Sequence, residues 1–234
     1  MKLIIVAGPP SAGKTAVIRQ ILSYLPQQTA AYLKIDVIYA NEDEEIAREF
    51  GIPTRKVISG DLCPDHAGIT VLSDALLWAE RKGAEFLIVE SAGLCLRCTP
   101  YTTESLGIAV LSAISGTHSP YKMSPMIALA DAAVVTRIDL VSQAEKEVFR
   151  EAIRDVAPTV EIVETNAVIG TGMRYLMKII DDLLPITDPA ALTLRGSPPL
   201  GVCTVCVGKK QIGWQNHFGV IRKLEGADTL FRGE

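Results

Sequence analysis

Eight consecutive residues constrain this chain more than any others: Gly8-Pro9-Pro10-Ser11-Ala12-Gly13-Lys14-Thr15. They stand between a short apolar run at 3–7 and an amphipathic stretch at 14–24. The spacing matches G-x-x-x-x-G-K-[ST], a loop that cradles phosphate between a strand and a helix. Each residue type has a physical reason. Gly8 and Gly13 let backbone N–H groups turn inward toward phosphate oxygens. Lys14 places a positive charge on the β- and γ-phosphates, and Thr15 offers a hydroxyl to magnesium. The helix that starts at Lys14 adds the positive end of its dipole. Gly8, Ser11, Ala12, Gly13, Lys14, Thr15 and Ala16 are therefore the expected nucleotide-binding residues of this segment.

The remaining pattern alternates short apolar runs with amphipathic stretches, which argues for a parallel sheet covered by helices. Strands are expected at 3–7, 31–35, 86–90, 108–112, 132–136 and 160–164. Helices are expected at 14–24, 43–50, 68–81, 142–156 and 173–184, with Ser142 and Glu145 spaced as a capping box. The fold class is α/β: a three-layer P-loop nucleoside triphosphatase with a mostly parallel sheet flanked by helices. After Leu184 the chain turns rich in proline and glycine, and a strand is expected at 220–224. We divide it into a domain at 1–185 and a short C-terminal cysteine-bearing appendage at 186–234.

Composition narrows the function. The 234 residues suffice for one full domain, and 48% of them are hydrophobic, which excludes disorder as a class. The net charge is −4, with no long run of lysine or arginine, so nucleic acid is not an expected partner. No apolar run approaches the length of a membrane span, and the N-terminal one is too short for a signal peptide. A cytoplasmic location is expected, with the five cysteines as reduced thiols.

Two carboxylates are placed to act with the loop. Asp36 follows a strand, and Glu90 ends the apolar run Phe86-Leu87-Ile88-Val89. In open α/β sheets ligands bind at that end of the strands. Lys14, Asp36 and Glu90 form the expected catalytic set, and Thr15, Asp36 and Glu90 the magnesium set. Guanine recognition uses N-K-x-D; here Thr136-Arg137-Ile138-Asp139 keeps the aspartate and alters the rest. GTP is the favoured nucleotide, with ATP as the alternative.

Taken together, these segments resemble the nickel-insertion GTPases of hydrogenase and urease maturation, HypB and UreG, with their CobW relatives. The resemblance spans residues 1–184. It rests on the phosphate loop, on Asp36-Val37-Ile38-Tyr39 with Glu42-Asp43, and on Ser59-Gly60-Asp61-Leu62-Cys63-Pro64-Asp65-His66 as a metal-binding segment. It also rests on Glu90-Ser91-Ala92-Gly93, on Pro120-Tyr121-Lys122-Met123 with Ala130-Asp131, and on Thr165-Asn166-Ala167 before Gly170-Thr171-Gly172. The resemblance implies a slow GTPase, a homodimer and a client metalloenzyme or its maturation factors as partners. It also implies that Asn166 and Ala167 close over the base. The chain departs from the family at Thr136-Arg137, at Asp65 between Pro64 and His66, and in lacking a histidine-rich tract.

The cysteines fall at Cys63, at Cys95 with Cys98, and at Cys203 with Cys206. Two Cys-x-x-Cys pairs in one chain point to a metal or a cluster. Zinc or nickel suits cysteine with histidine, and His66 lies three residues after Cys63. An iron–sulfur cluster takes four thiolates, which two subunits could supply through Cys95 and Cys98, or one chain through all four paired cysteines. His217 is a further candidate, and His118 reads as a loop residue. The competing readings are an iron–sulfur scaffold switched by nucleotide and a small-molecule kinase.

Overall fold

The computed structural model describes residues 1–60, 63–92, 100–196 and 210–216, and the backbone of 228–230. In chain order, β1 (Lys2–Ala7) leads through the phosphate loop into α1 (Lys14–Tyr24). Then come β2 (Ala30–Asp36), α2 (Glu42–Phe50), β3 (Thr54–Ile58), α3 (Pro64–Arg81), β4 (Phe86–Glu90) and β5 (Ser105–Ser112). After α4 (Ser119–Lys122) and α5 (Ser124–Ala128) follow β6 (Ala132–Thr136), α6 (Gln143–Val156), β7 (Glu161–Glu164), α7 (Met173–Asp181) and β8 (Asp228–Leu230). The strands form one sheet in the order β7-β6-β5-β1-β4-β2-β3-β8, and every pairing is parallel.

Both faces of the sheet are dry, which explains why its central strands are apolar without interruption. Side chains alternate along a strand, so β1 divides between two cores. Leu3, Ile5 and Ala7 pack with Val71, Leu72 and Ala75 of α3 and with Phe149 and Ile153 of α6. Ile4 and Val6 pack on the other face with Val17, Ile18 and Ile21 of α1 and with Leu176 and Ile180 of α7. These are the three layers. The central position of β1, between β4 and β5, puts the phosphate loop at the carboxyl edge beside the ends of β2 and β4.

Element boundaries differ from the sequence reading in physically readable ways. The helix expected from residue 68 begins at Pro64, whose fixed φ suits the first helical turn. β5 begins at Ser105 rather than 108. β3 escaped the apolar pattern because only Val57 of Thr54–Ile58 is buried. The capping box at Ser142 and Glu145 is formed.

Where it is described up to Asn216, the chain after 185 packs against residues of the 1–185 segment. Ile186 N–H donates to the Met1 carbonyl at 2.8 Å. Leu192, Leu194 and Ile212 are buried in the core on the α3 side. Arg195 pairs with Asp131 at 2.8 Å and donates to the carbonyls of Thr102 (2.9 Å), Leu129 (3.0 Å) and Ser105. The 220–224 strand lies outside the described residues. No helix among the described residues is long and apolar enough to cross a membrane.

Tyr101 shows how tight this junction is. Its ring is fully buried and lies over Gly107 of β5, where an added Cβ would approach ring carbons at 2.8 Å. Gly107→Ala should destabilise the protein by about 1–3 kcal/mol through overpacking, read from the urea midpoint. An unchanged midpoint would show that the ring has room to move.

Candidate functional site

The phosphate loop needs its glycines. Gly8 has φ +155°, and a Cβ there would come within 2.3 Å of the Val110 carbonyl oxygen. Gly13, at φ +95°, sits at the N-cap of α1. The Lys14 ammonium curls over the loop and donates to the carbonyls of Gly8 at 2.9 Å and Pro9 at 3.1 Å. Burial lowers its pKa, opposed chiefly by the Glu90 carboxylate.

The end of β6 braces this loop. The Thr136 hydroxyl donates to the Ala12 carbonyl at 2.7 Å. Arg137, held at φ +56°, donates to the Ser11 carbonyl at 2.7 Å and the Ser112 hydroxyl at 2.9 Å. The two residues that depart from the guanine motif are thus tied to the phosphate loop. Asp139 lies beyond them, exposed, on the single turn Ile138–Leu140. Asn166 accepts from Val168 N–H at 3.0 Å, and Ala167 is buried. The Val168 carbonyl accepts a 3.4 Å bond from Gln20 of α1, which joins that loop to the helix behind the phosphate site.

Glu90 is the centre of the polar network. It is 1% exposed, yet its carboxylate is fully engaged. Lys34 donates to Oε1 at 2.8 Å, Tyr32 to Oε2 at 2.7 Å, and the Thr15 hydroxyl to both oxygens at 3.0 and 3.2 Å. The strand register explains the arrangement. Tyr32, Lys34 and Asp36 alternate along β2 and share a face, and Lys34 lies directly opposite Glu90 on β4. The Lys34 ammonium also reaches Glu42 at 3.5 Å and Asp36 at 3.6 Å. Burial alone would lower the Lys34 pKa, but Glu90, Glu42 and Asp36 outweigh it and raise it. Burial and the Glu90 charge push the Tyr32 hydroxyl far up, so it stays a donor.

A cleft of about 450 Å³ gathers Ser11, Gly13, Lys14, Thr15, Asp36 and Glu90 with Lys34, Glu42 and Arg137. Its donors suit the groups the sequence implies. The Lys14 ammonium, satisfied by carbonyl oxygens, sits in a cradle that phosphate oxygens would fill. Thr15, Asp36 and Glu90 offer hard oxygen, the donor type magnesium takes. Sequence reasoning missed Tyr32, Lys34 and Ser91. The available signal was a lysine inside a strand otherwise built for burial.

The Cys63–His66 segment lies on the opposite side of β4. Cys63 is a partly buried thiol at the N-cap of α3, and His66 is buried one turn on. Between them Asp65 is buried and accepts from the Ser91 hydroxyl at 2.7 Å, while its second oxygen has no hydrogen-bond partner. Burial pushes its pKa up to about 6, against the pull of Ser91 and Lys14. Among the described residues no group of three or more His, Cys, Asp or Glu is arranged to hold a metal ion. Cys95, Cys98, Cys203, Cys206 and His217 lie outside the described residues.

With this geometry in hand, the relatives fall into place. A model of the CobW/HypB/UreG nucleotide-binding domain matches residues 2–164. The chain is 40% identical over 228 residues to Uncharacterized protein MJ0120 of Methanocaldococcus jannaschii, covering 97% of each. It is 31% identical over 169 residues to the urease accessory protein UreG of Mycobacterium ulcerans, covering 66% of this chain and 76% of that one. Among solved structures, hydrogenase maturation factor HypB from Archaeoglobus fulgidus shares the fold at a TM-score of 0.62 and 19% identity, covering 79% of this chain and 91% of that one. HypB from Helicobacter pylori in complex with nickel does so at 0.59 and 15%, covering 80% and 91%. The domain match over most of the chain leads to one conclusion: the chain belongs to the CobW/HypB/UreG family of nucleotide-binding proteins.

Proposed function

We propose that this protein is a magnesium-dependent GTP-binding and GTP-hydrolysing metallochaperone. Nucleotide state would govern delivery of a metal, nickel or zinc, or of an iron–sulfur cluster, to a client metalloenzyme. The observation that carries the reading is the adjacency of Glu90 and Ser91. Glu90 bonds Thr15 on the nucleotide side, and Ser91 bonds Asp65 inside the Cys63–His66 segment. A shift at one residue moves the other, which gives the physical link that a nucleotide-gated metal carrier requires. The relatives named as a urease accessory protein and a hydrogenase maturation factor support the same class.

The roles follow from the network. The backbone of Gly8–Thr15 and the Lys14 ammonium would hold the phosphates, and Thr15 with Asp36 would hold magnesium. When bound, magnesium neutralises charge on the transferring phosphoryl oxygens. Glu90 has its oxygens committed to Tyr32, Lys34 and Thr15, so neither is open to orient a water until Thr15 turns away. Slow intrinsic hydrolysis is the expected consequence. Asp139 would accept from guanine, and a homodimer would supply the remaining thiolates of a shared metal.

Three measurements check the reading. Asp139→Asn should lower the preference for GTP over ATP by roughly ten-fold or more, because a charge-assisted bond is lost; unchanged selectivity removes the guanine assignment. Anaerobically purified protein should carry a transition metal that is lost in Cys95→Ala/Cys98→Ala. Iron with acid-labile sulfide would mark the cargo as a cluster, and zinc or nickel without sulfide as a single ion. Metal content independent of both cysteines would leave only the nucleotide-binding half. Ser91→Ala leaves the Asp65 carboxylate buried without that donor, so it should cost about 1–3 kcal/mol in urea unfolding. It should also weaken the effect of bound nucleotide on metal affinity; full coupling in a folded variant would show that the link runs elsewhere.

A further inference from the structure

Lys34 sits where a nucleotide site of this kind has no evident need of a lysine. Its side chain is 4% exposed, and its ammonium stands 2.8 Å from Glu90, 3.5 Å from Glu42 and 3.6 Å from Asp36. The Thr15 hydroxyl bonds the same Glu90 carboxylate. The ammonium therefore reaches two of the oxygen groups that magnesium would use, Glu90 and Asp36. A counter-ion for buried Glu90 accounts for the first contact only. Asp36 and Glu42 are partly exposed and need no buried partner, yet they converge on the same nitrogen.

We infer that Lys34 is a tethered cation that fills the magnesium position of the nucleotide-free protein, and that magnesium with nucleotide enters by displacing it. This rests on the nucleotide site proposed above. The chemistry is a competition of like charges for one set of hard oxygens. Magnesium carries two charges and brings water and phosphate oxygens as further ligands. Lysine carries one charge on a flexible four-carbon stem, so it can yield without unfolding the strand that bears it. Until displaced, it holds Glu90 and partly offsets the charge of the acidic cluster. Nucleotide and magnesium would then load together, because magnesium alone meets an occupied site.

Manganese(II) is the direct probe, with free ion counted by electron paramagnetic resonance in nucleotide-free protein. Lys34→Met should bind it roughly ten-fold tighter than wild type, or more. Lys56→Met removes an equal charge from beside Asp43 and Glu44 of α2, and should leave the affinity unchanged. Equal affinity in wild type and Lys34→Met, or an equal gain in Lys56→Met, overturns the inference. If Lys34→Met does not fold, as judged by circular dichroism, Lys34→Met/Glu42→Gln keeps the net charge and carries the same expectation. GDP affinity with magnesium and with a chelator gives a second arm. Its magnesium dependence should be steeper in the Lys34 variant, and equal dependence counts against displacement. If GDP binds neither protein, the nucleotide reading falls, while the manganese comparison still decides on Lys34.

Discussion

A carboxylate buried at the centre of a parallel sheet organises this protein. Glu90 could not remain charged at 1% exposure without compensation, because an isolated ion in an apolar interior costs several kcal/mol at least. The fold compensates with donors from separate elements: Tyr32 and Lys34 on the neighbouring strand, and Thr15 at the start of the phosphate-loop helix. Strand register, helix position and loop closure are thereby tied to one charge. The same bonds that make the charge tolerable occupy its lone pairs, so the stability they supply and the freedom of those oxygens oppose each other. A protein meant to switch benefits from that opposition, and one meant to turn over quickly does not.

The phosphate loop is braced on its far side by an unrelated set of bonds. Thr136 and Arg137 hold the carbonyls of Ala12 and Ser11. A residue that departs from a base-recognition pattern can still serve the site, because the loop needs support from β6 whichever base is read. The altered motif is therefore no sign of a decayed site. It divides the segment: backbone support falls to Thr136 and Arg137, while Asp139, the base contact proposed above, lies on the following turn.

Much of this was legible in the sequence because it is local. The loop motif, the apolar strands and the capping box each need only a few adjacent residues to be recognised. The Cys63–His66 segment was singled out through resemblance, but the Ser91–Asp65 bond was not, because it joins residues 26 apart. Lys34 and Tyr32 were passed over because 31–35 reads as one apolar strand, and their partner is 56 and 58 positions away. β3 was missed because a strand with one buried residue has no period to detect. Long-range pairing of polar groups leaves no trace in composition; only the oddity of a charge inside a buried strand points to it.

The sheet's two margins bear on how copies of this chain can meet. On one side β8 lies along β3 and takes up its backbone donors and acceptors. On the other, β7 is only four residues long and begins and ends with Glu161 and Glu164, which are engaged by Tyr175 and Arg150. A short, acidic margin is a poor template for strand addition. Self-association through β7 would set like charges against each other in register. Joining copies of this chain by extending the sheet through β7 is therefore disfavoured.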